Sequence, residues 1–193
     1  MSGSLTELVS RCALAAAAGS APVEEISAAI RSFMQDPDPA AVAQDEEEVC
    51  LYRSDRLTLM SIRQTPNVLF PPHDHAMVAI IGTYEGEEIA KRFRAAPTGV
   101  VELDEISIKS GDVATFSSDA IHAVANVGEG YSRAIHAYLG DLVTTPRSIW
   151  DPETGEKHPY SDETYFRLAR PYDPSKPFSR PNTSFAHSDQ SGH

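Results

Sequence analysis

From Glu48 to about Leu142 the apolar residues recur with a period of two. The segments "VCLYRS", "LTLMSIRQ", "HAMVAIIGTYEG", "EIAKRF", "VVELDEISIKSGDVATF", "HAVANV" and "SRAIHAYLGDL" are short and rich in β-branched and aromatic residues. Gly, Pro, Asn and Asp divide them. Alternation places one face of a strand against a core, and the dividing residues are those that turn a chain. No helix-length pattern interrupts the series before about residue 150. Many short strands without intervening helices exclude a parallel α/β sheet and specify an all-β sandwich or barrel with antiparallel pairing.

The flanks have a different pattern. Residues 4–42 read as helical. The Ala-rich stretch 5–18 has high helix propensity. Val23, Ile26, Ile30 and Phe33 then recur at helical spacing behind "SAPVEE", where Pro22 and two early acids suit a first turn. "DPDPAAVAQDEEE" reads as one more short helical turn and an acidic link. The chain therefore divides into an N-terminal helical extension (1–44), a barrel (45–150) and a C-terminal segment (151–193) packed on the barrel or trailing from it. Within that last segment "DPETGEKHPYSDETYF" is a loop with a short strand or helix. Residues 171–193, rich in Pro, Ser and Asn and nearly free of aliphatics, read as extended or disordered.

Composition narrows the partners. The net charge of −12 argues against nucleic acid or an anionic membrane, since both select a basic footprint. No apolar run approaches the roughly 18 residues of a membrane span. The Ala-rich stretch lacks the basic region of a secretory signal, with only Arg11 before it and Glu7 nearby, so a cytoplasmic location is expected. Cys12 and Cys50 form no framework and no CxxC, and are expected to be reduced and mostly buried thiols.

The chemistry lies in the histidines. Of the seven, His187 and His193 fall in the polar tail, and His158 beside Pro159 is expected on a surface loop. His73 and His75, in "LFPPHDHAMVAIIG", are i and i+2 on an expected strand and so share a face, while Asp74 points away. "IHAVAN" supplies His122 at the start of a later strand. Three neutral imidazoles suit a first-row divalent metal, with nickel, copper, zinc and iron all open on ligand type alone.

These spacings resemble the two motifs of the cupin family. The first is Gly, five residues, HxH, three or four residues, Glu, six residues, Gly; it is matched by His73, His75 and Gly86. The second is Gly, five residues, Pro, any residue, Gly, two residues, His, three residues, Asn; it is matched by Gly111, His122 and Asn126. Asn67 and Asp119 stand where the family has Gly, and both types tolerate a left-handed backbone. Ser117 stands for Pro. Ala79 stands at the Glu position, so the usual carboxylate ligand is missing, and Glu85, Glu87 and Glu88 read as solvated turn residues. The resemblance implies a cupin jelly-roll barrel, and in many cupins homodimers form through sheet edges.

Loss of the carboxylate resembles one branch, the thiol dioxygenases that act on cysteine or 3-mercaptopropionate. In that branch "PPHDHAMVAIIGTYEGEE" is similar to the metal strand and "AIHAYLGDL" to the last barrel strand. The resemblance, over about 45–150, implies Fe(II) on His73, His75 and His122, with nickel, zinc or copper acceptable as purified. It implies His136 and Tyr138 as a catalytic relay, with Ala134 where the relay has Ser. Ile80 stands where mammalian cysteine dioxygenases have the cysteine of their thioether cofactor. The expected partners are a small mercapto-carboxylate and O₂, the product its sulfinate. The carboxylate would need an arginine fork. Arg147, nine residues after Tyr138, ranks first for that role and Arg53 second, with Arg63 a further candidate. The competing readings are a three-histidine cupin of other chemistry, such as a non-thiol dioxygenase or isomerase, and a non-enzymatic metal- or small-molecule-binding cupin.

Overall fold

The computed structural model describes residues 4–37 and 46–175. The Ala-rich stretch forms helix α1 (Leu5–Ala18), which ends where Gly19 adopts φ 72° and its N–H reaches the Ala15 carbonyl. Helix α2 (Pro22–Met34) starts on Pro22 with Glu24 and Glu25 in its first turn, and buries Ile26, Ala29, Ile30 and Phe33 along one stripe. The expected further turn near "DPDPAAVAQDEEE" falls mainly on residues outside the described ones.

The strands follow in the order β1 (Glu48–Arg53), β2 (Thr58–Gln64), β3 (Val68–Leu69), β4 (His73–Asp74), β5 (Ala79–Glu85), β6 (Glu87–Ala96), β7 (Gly99–Lys109), β8 (Val113–Phe116), β9 (Ile121–Asn126) and β10 (Ser132–Tyr138). After them come β11 (Ser148–Trp150), β12 (Lys157–Pro159), helix α3 (Asp162–Arg167) and β13 (Arg170–Pro171). One sheet has the order β1-β2-β10-β5-β8. The other runs β12-β11-β4-β9-β3-β13, with β6 on β9 and β7 on β6. The chain passes back and forth between the two sheets, which face each other around an interior. All strand pairings among the described residues are antiparallel. The two facing sheets form a double-stranded β-helix, or jelly roll, all-β apart from its few helices.

The apolar run after His75 is not one strand. Ala76 adopts φ 54°, and residues 75–78 form a bend that carries the chain from β4 in one sheet to β5 in the other. Asn67, Gly86 and Gly111 have positive φ, whereas Asp119 does not. Asp119 instead closes a turn in which its carboxylate accepts from the Ser117 hydroxyl at 2.6 Å. The C-terminal segment is part of the fold as far as it is described. β13 pairs with β3, and the Tyr172 N–H donates to the Asn67 carbonyl at 2.9 Å. Residues 171 and 172 are therefore paired rather than disordered; the rest of the expected tail from 176 on lies outside the described residues.

The core has an inner and an outer part. Ala79, Ile81, Ala90, Ile108, Phe116, Ala134 and Tyr138 pack inside the barrel. On the outer face of the five-stranded sheet, Leu57, Leu59, Ile80, Ile135 and Ala137 meet Ile26, Ala29, Ile30 and Phe33 of α2 and Leu8 and Cys12 of α1. This contact is close at Gly82, where an added Cβ would overlap Ile30 Cγ2 and lie 3.0 Å from Met34 Sδ. Among the described residues no helix is long and apolar enough to cross a membrane.

Gly82→Ala should therefore destabilise the fold. Overpacking of a tight core costs about 1–3 kcal/mol, which exceeds the roughly 0.5–1 kcal/mol that replacing a strand glycine otherwise returns. Ile30→Ala removes the overlapping methyl, so the double variant should lose less than the sum of the two single losses in denaturant melts. Additivity of the two losses would show that helix and sheet do not meet as described.

Candidate metal centre and cavity

Three histidines converge inside the barrel because of strand register. His73 lies opposite His122 in the β4–β9 pair, and both point inward. Asp74 points the other way and accepts from the Ser148 N–H at 2.9 Å, which fastens β4 from outside. His75, at the start of the crossing bend, turns back into the same interior. One ligand atom from each of the three lies within 4.8 Å of the others, and all three side chains are buried.

The donor set fits a metal ion. His73 Nδ1 is 2.9 Å from the Pro71 carbonyl, so its N–H is directed there and Nε2 keeps a free lone pair. His75 Nε2 and His122 Nε2 lie 2.9 Å apart. Two metal–nitrogen bonds of about 2.0–2.1 Å at a right angle subtend about this separation. Burial lowers the pKa of all three; His73 falls to about 4, with the Pro71 bond opposing the shift and Arg147 adding to it. They are neutral at pH 7, as a metal ligand must be. Ala79, at the position where the resemblance expects a carboxylate ligand, is fully buried opposite Tyr138 and Phe116 and offers only a methyl.

A cavity of about 200 Å³ opens beside this centre. The five-stranded sheet contributes Thr58, Met60, Ile62, His136 and Tyr138 to its wall. His136 and Tyr138 are i and i+2 on β10, and His136 Nδ1 lies 2.9 Å from the Tyr138 hydroxyl oxygen. The Tyr138 ring centroid is 4.8 Å from that of His75. Burial raises the Tyr138 pKa far above its usual range, so the hydroxyl stays protonated and can donate. Burial likewise lowers His136 to about 3, so that ring is neutral.

Arg147 reaches the cavity from the segment after β10. It is half-buried, its guanidinium carbon stands 3.7 Å from the Tyr160 ring centroid, and its charge is felt at His73 and His75. Arg53 is not brought to the site. It makes a two-point ion pair with Asp141 at 2.8 and 2.9 Å, outside the cavity lining. Asp141 also accepts from Val143 N and Thr144 Oγ1, so the pair holds the loop that presents Leu142 and Val143 to the cavity. Arg63 stacks on Tyr131 at 4.4 Å, also away from the cavity. His158 is half-buried on β12, opposite Ile149, and not on a loop.

Several residues were missed or misread from sequence. Tyr160, Asp162 and Tyr165 line the cavity. Tyr165, on α3, is buried with its ring 5.3 Å from His73 and stacked on Phe70 at 4.7 Å. The capping pattern was the available signal: Ser161 accepts from Thr164 N ahead of two acids in the first turn. Glu48 stands at the rim, its pKa raised by partial burial and by Asp162 while Arg147 opposes the shift. Cys12 is buried as expected, but Cys50 is exposed at the same rim. Glu88 is not a solvated turn residue; it is 1% exposed, inside the barrel.

No protein-family model and no curated protein matches the sequence. Solved structures with similar folds include the DMSP lyase DddQ from Ruegeria pomeroyi DSS-3, 21% identical over 52% of this chain with TM-score 0.42. That match spans about half (49%) of the lyase's own length. An RmlC-like cupin family protein with a double-stranded β-helix fold from Methanocaldococcus jannaschii is 11% identical over 52% of this chain and 87% of its own, with TM-score 0.43. Oxalate oxidase in complex with glycolate is 16% identical over 44% of this chain and 42% of its own, with TM-score 0.38.

Removing any one imidazole should disable metal retention without unfolding the barrel, whose core is strand packing. His73→Ala, His75→Ala and His122→Ala should each lower metal affinity by more than the about 10–100-fold typical of losing a supporting group. Metal content after dialysis, read beside circular dichroism, checks this. Full metal content in one variant would remove that residue from the ligand set, and His158→Ala should match the unaltered protein.

Proposed function

We propose that this protein is a mononuclear non-haem iron thiol dioxygenase acting on a small mercapto-carboxylate such as cysteine or 3-mercaptopropionate. The observation that carries the reading is the grouping, around one small cavity, of three buried imidazoles without a carboxylate, a tyrosine hydroxyl and an arginine. Ferrous iron on the three imidazoles would supply the redox chemistry that joins both atoms of O₂ to sulfur, R–SH + O₂ → R–SO₂H. Three neutral ligands leave the charge of a divalent ion uncompensated, which favours an anionic substrate group such as a thiolate over a neutral one.

The chain's own residues do the rest. Arg147, held flat by Tyr160, presents parallel donors to the substrate carboxylate. Glu48 and Asp162 near it favour a substrate that carries an ammonium beside that carboxylate. Met60, Ile62, Leu142 and Val143 give the short carbon stem an apolar wall and limit water. The Tyr138 hydroxyl, positioned by His136, donates a hydrogen bond to the reacting groups.

Two measurements test this reading with the iron-loaded protein. Arg147→Ala should raise KM for mercapto-acids about ten- to a hundred-fold, the equivalent of losing a charge-assisted bond of roughly 1.5–3 kcal/mol. Arg147→Lys should recover little, and a thiol of equal length ending in an alcohol should respond to neither change. Tyr138→Phe should keep its iron but yield less sulfinate per O₂ consumed; unchanged rate and coupling would reduce Tyr138 to a packing residue. If no thiol supports O₂ uptake by protein with iron bound, the thiol reading fails and a three-histidine cupin of other function remains.

A further inference from the structure

Beneath the three-histidine centre the barrel interior holds polar groups that the proposed chemistry does not use. Strand register sorts them into layers. In the lowest, Ser132 lies opposite Gln64 and Glu88 opposite Asn126, and the Ser132 hydroxyl donates to Glu88 Oε1 at 2.8 Å, joining the two sheets. In the next, Ala134 lies opposite Thr83, and Ala90 of the facing sheet opposite Val124. Both alanines are fully buried and end at Cβ, so they fill less of this layer than a larger side chain would. In the layer above, His136 lies opposite Ile81 and bonds Tyr138 through Nδ1.

Each layer contains a buried polar atom without a hydrogen-bond partner: Glu88 Oε2 and Gln64 Oε1, then Thr83 Oγ1, then His136 Nε2. All four residues are no more than 5% exposed. Buried polar groups are rarely left unpaired, and a polar interior with two or more such atoms is where proteins hold ordered water.

We propose that water joins these atoms into one hydrogen-bonded column, through which Glu88 sets the direction of the His136–Tyr138 hydrogen bond. The column stands on its own geometry; its consequence for catalysis rests on the proposed role of Tyr138. With Ser132 donating to Oε1, a neutral Glu88 carries its proton on Oε2 and donates upward. Thr83 and the intervening water pass that polarity to His136 Nε2, which accepts. The ring then carries its proton on Nδ1 and donates to the Tyr138 oxygen, leaving the tyrosine O–H free to donate into the cavity. When Glu88 loses its proton to solvent, every bond in the column reverses. His136 holds its proton on Nε2, Nδ1 accepts from Tyr138, and the tyrosine proton is withdrawn from the cavity. The column then holds one proton fewer, and no other group changes its charge.

Glu88 is suited to this because burial pushes its carboxyl up to about 7, against the opposing bond from Ser132. In its own layer Glu88 has Ile108 of β7 and Asn126 of β9 opposite it, Ser132 of β10 bonded to it and Gln64 of β2 opposite Ser132, all uncharged. The charged neighbours Glu87 and Lys109 pair with each other on the outer face of the hairpin, and Glu85 pairs with Arg133. Tyr138 and Tyr165 feel the charge of Glu88, and burial keeps both protonated.

The test is nitrogen NMR of the histidine rings in the full chain loaded with zinc, between about pH 5.5 and 8.5, with His136 assigned by substitution. The expected result is an Nδ1–H ring at low pH that converts to Nε2–H with a midpoint near that of Glu88. Glu88→Gln places an amide donor at the Oε2 position and should lock the Nδ1–H form at every pH. Thr83→Val breaks the column while keeping Glu88, and should abolish the pH response even if the glutamine variant does not fold. One unchanging tautomer in the unaltered protein overturns the proposal. So does a pH response that survives in Glu88→Gln or Thr83→Val. Absence of thiol-dependent O₂ uptake would count against the proposed function alone, since the tautomer is read without turnover.

Discussion

The site depends on the pairing of one two-residue strand. β4 is held between β9 and β11, with His73 opposite His122 on one side and Ile149 on the other. Trp150 N donates to the Pro72 carbonyl and Ser148 N to Asp74, so the short strand is fixed along both its backbone and its outward side chain. A slip of one residue would turn His73 out and Asp74 in, because strand side chains alternate. The bend at 75–78 follows from the same anchoring: once β4 is held in one sheet, the chain must cross to reach β5 in the other, and His75 sits where it turns.

Burial and charge then divide the interior by depth. The imidazoles are desolvated enough to stay neutral, and the Tyr138 hydroxyl enough to stay protonated. Charged groups stand at the rim, where Arg147 lies within reach of Glu48 and Asp162, and burial raises the carboxyl of Glu88 at the floor. Between rim and floor the wall is mostly apolar or aromatic.

Much of this was legible in the sequence, for identifiable reasons. Period-two alternation depends only on which face of a strand is buried, so the strands could be read without knowing their partners. The spacing of His73, His75 and His122 could be matched because the motif is local within each strand. Arg53 could not be placed: only the fold brings Asp141 to it, across a separation of 88 residues. Glu88 misled for a related reason. Two residues after the turn glycine Gly86 and next to Glu87 it looks solvated, whereas the fold turns it inward to bond Ser132, 44 residues later. Tyr165 lies beyond the periodic region, and nothing in its own segment reveals that α3 folds back against His73.

That return of the chain has a consequence for how such a site can change. The imidazoles and the His136–Tyr138 pair belong to strands interlocked within the barrel, while Arg147, Tyr160, Asp162 and Tyr165 belong to the segment laid on afterwards. The three-histidine centre and the arginine end of the cavity are thus built from separate stretches of chain. Substitutions at Arg147, Tyr160 or Asp162, which lie outside the β11 residues paired with β4, can accumulate without disturbing the register that gathers the three histidines. Under the proposed function, such a division would let one substrate replace another while the three imidazoles stay in place.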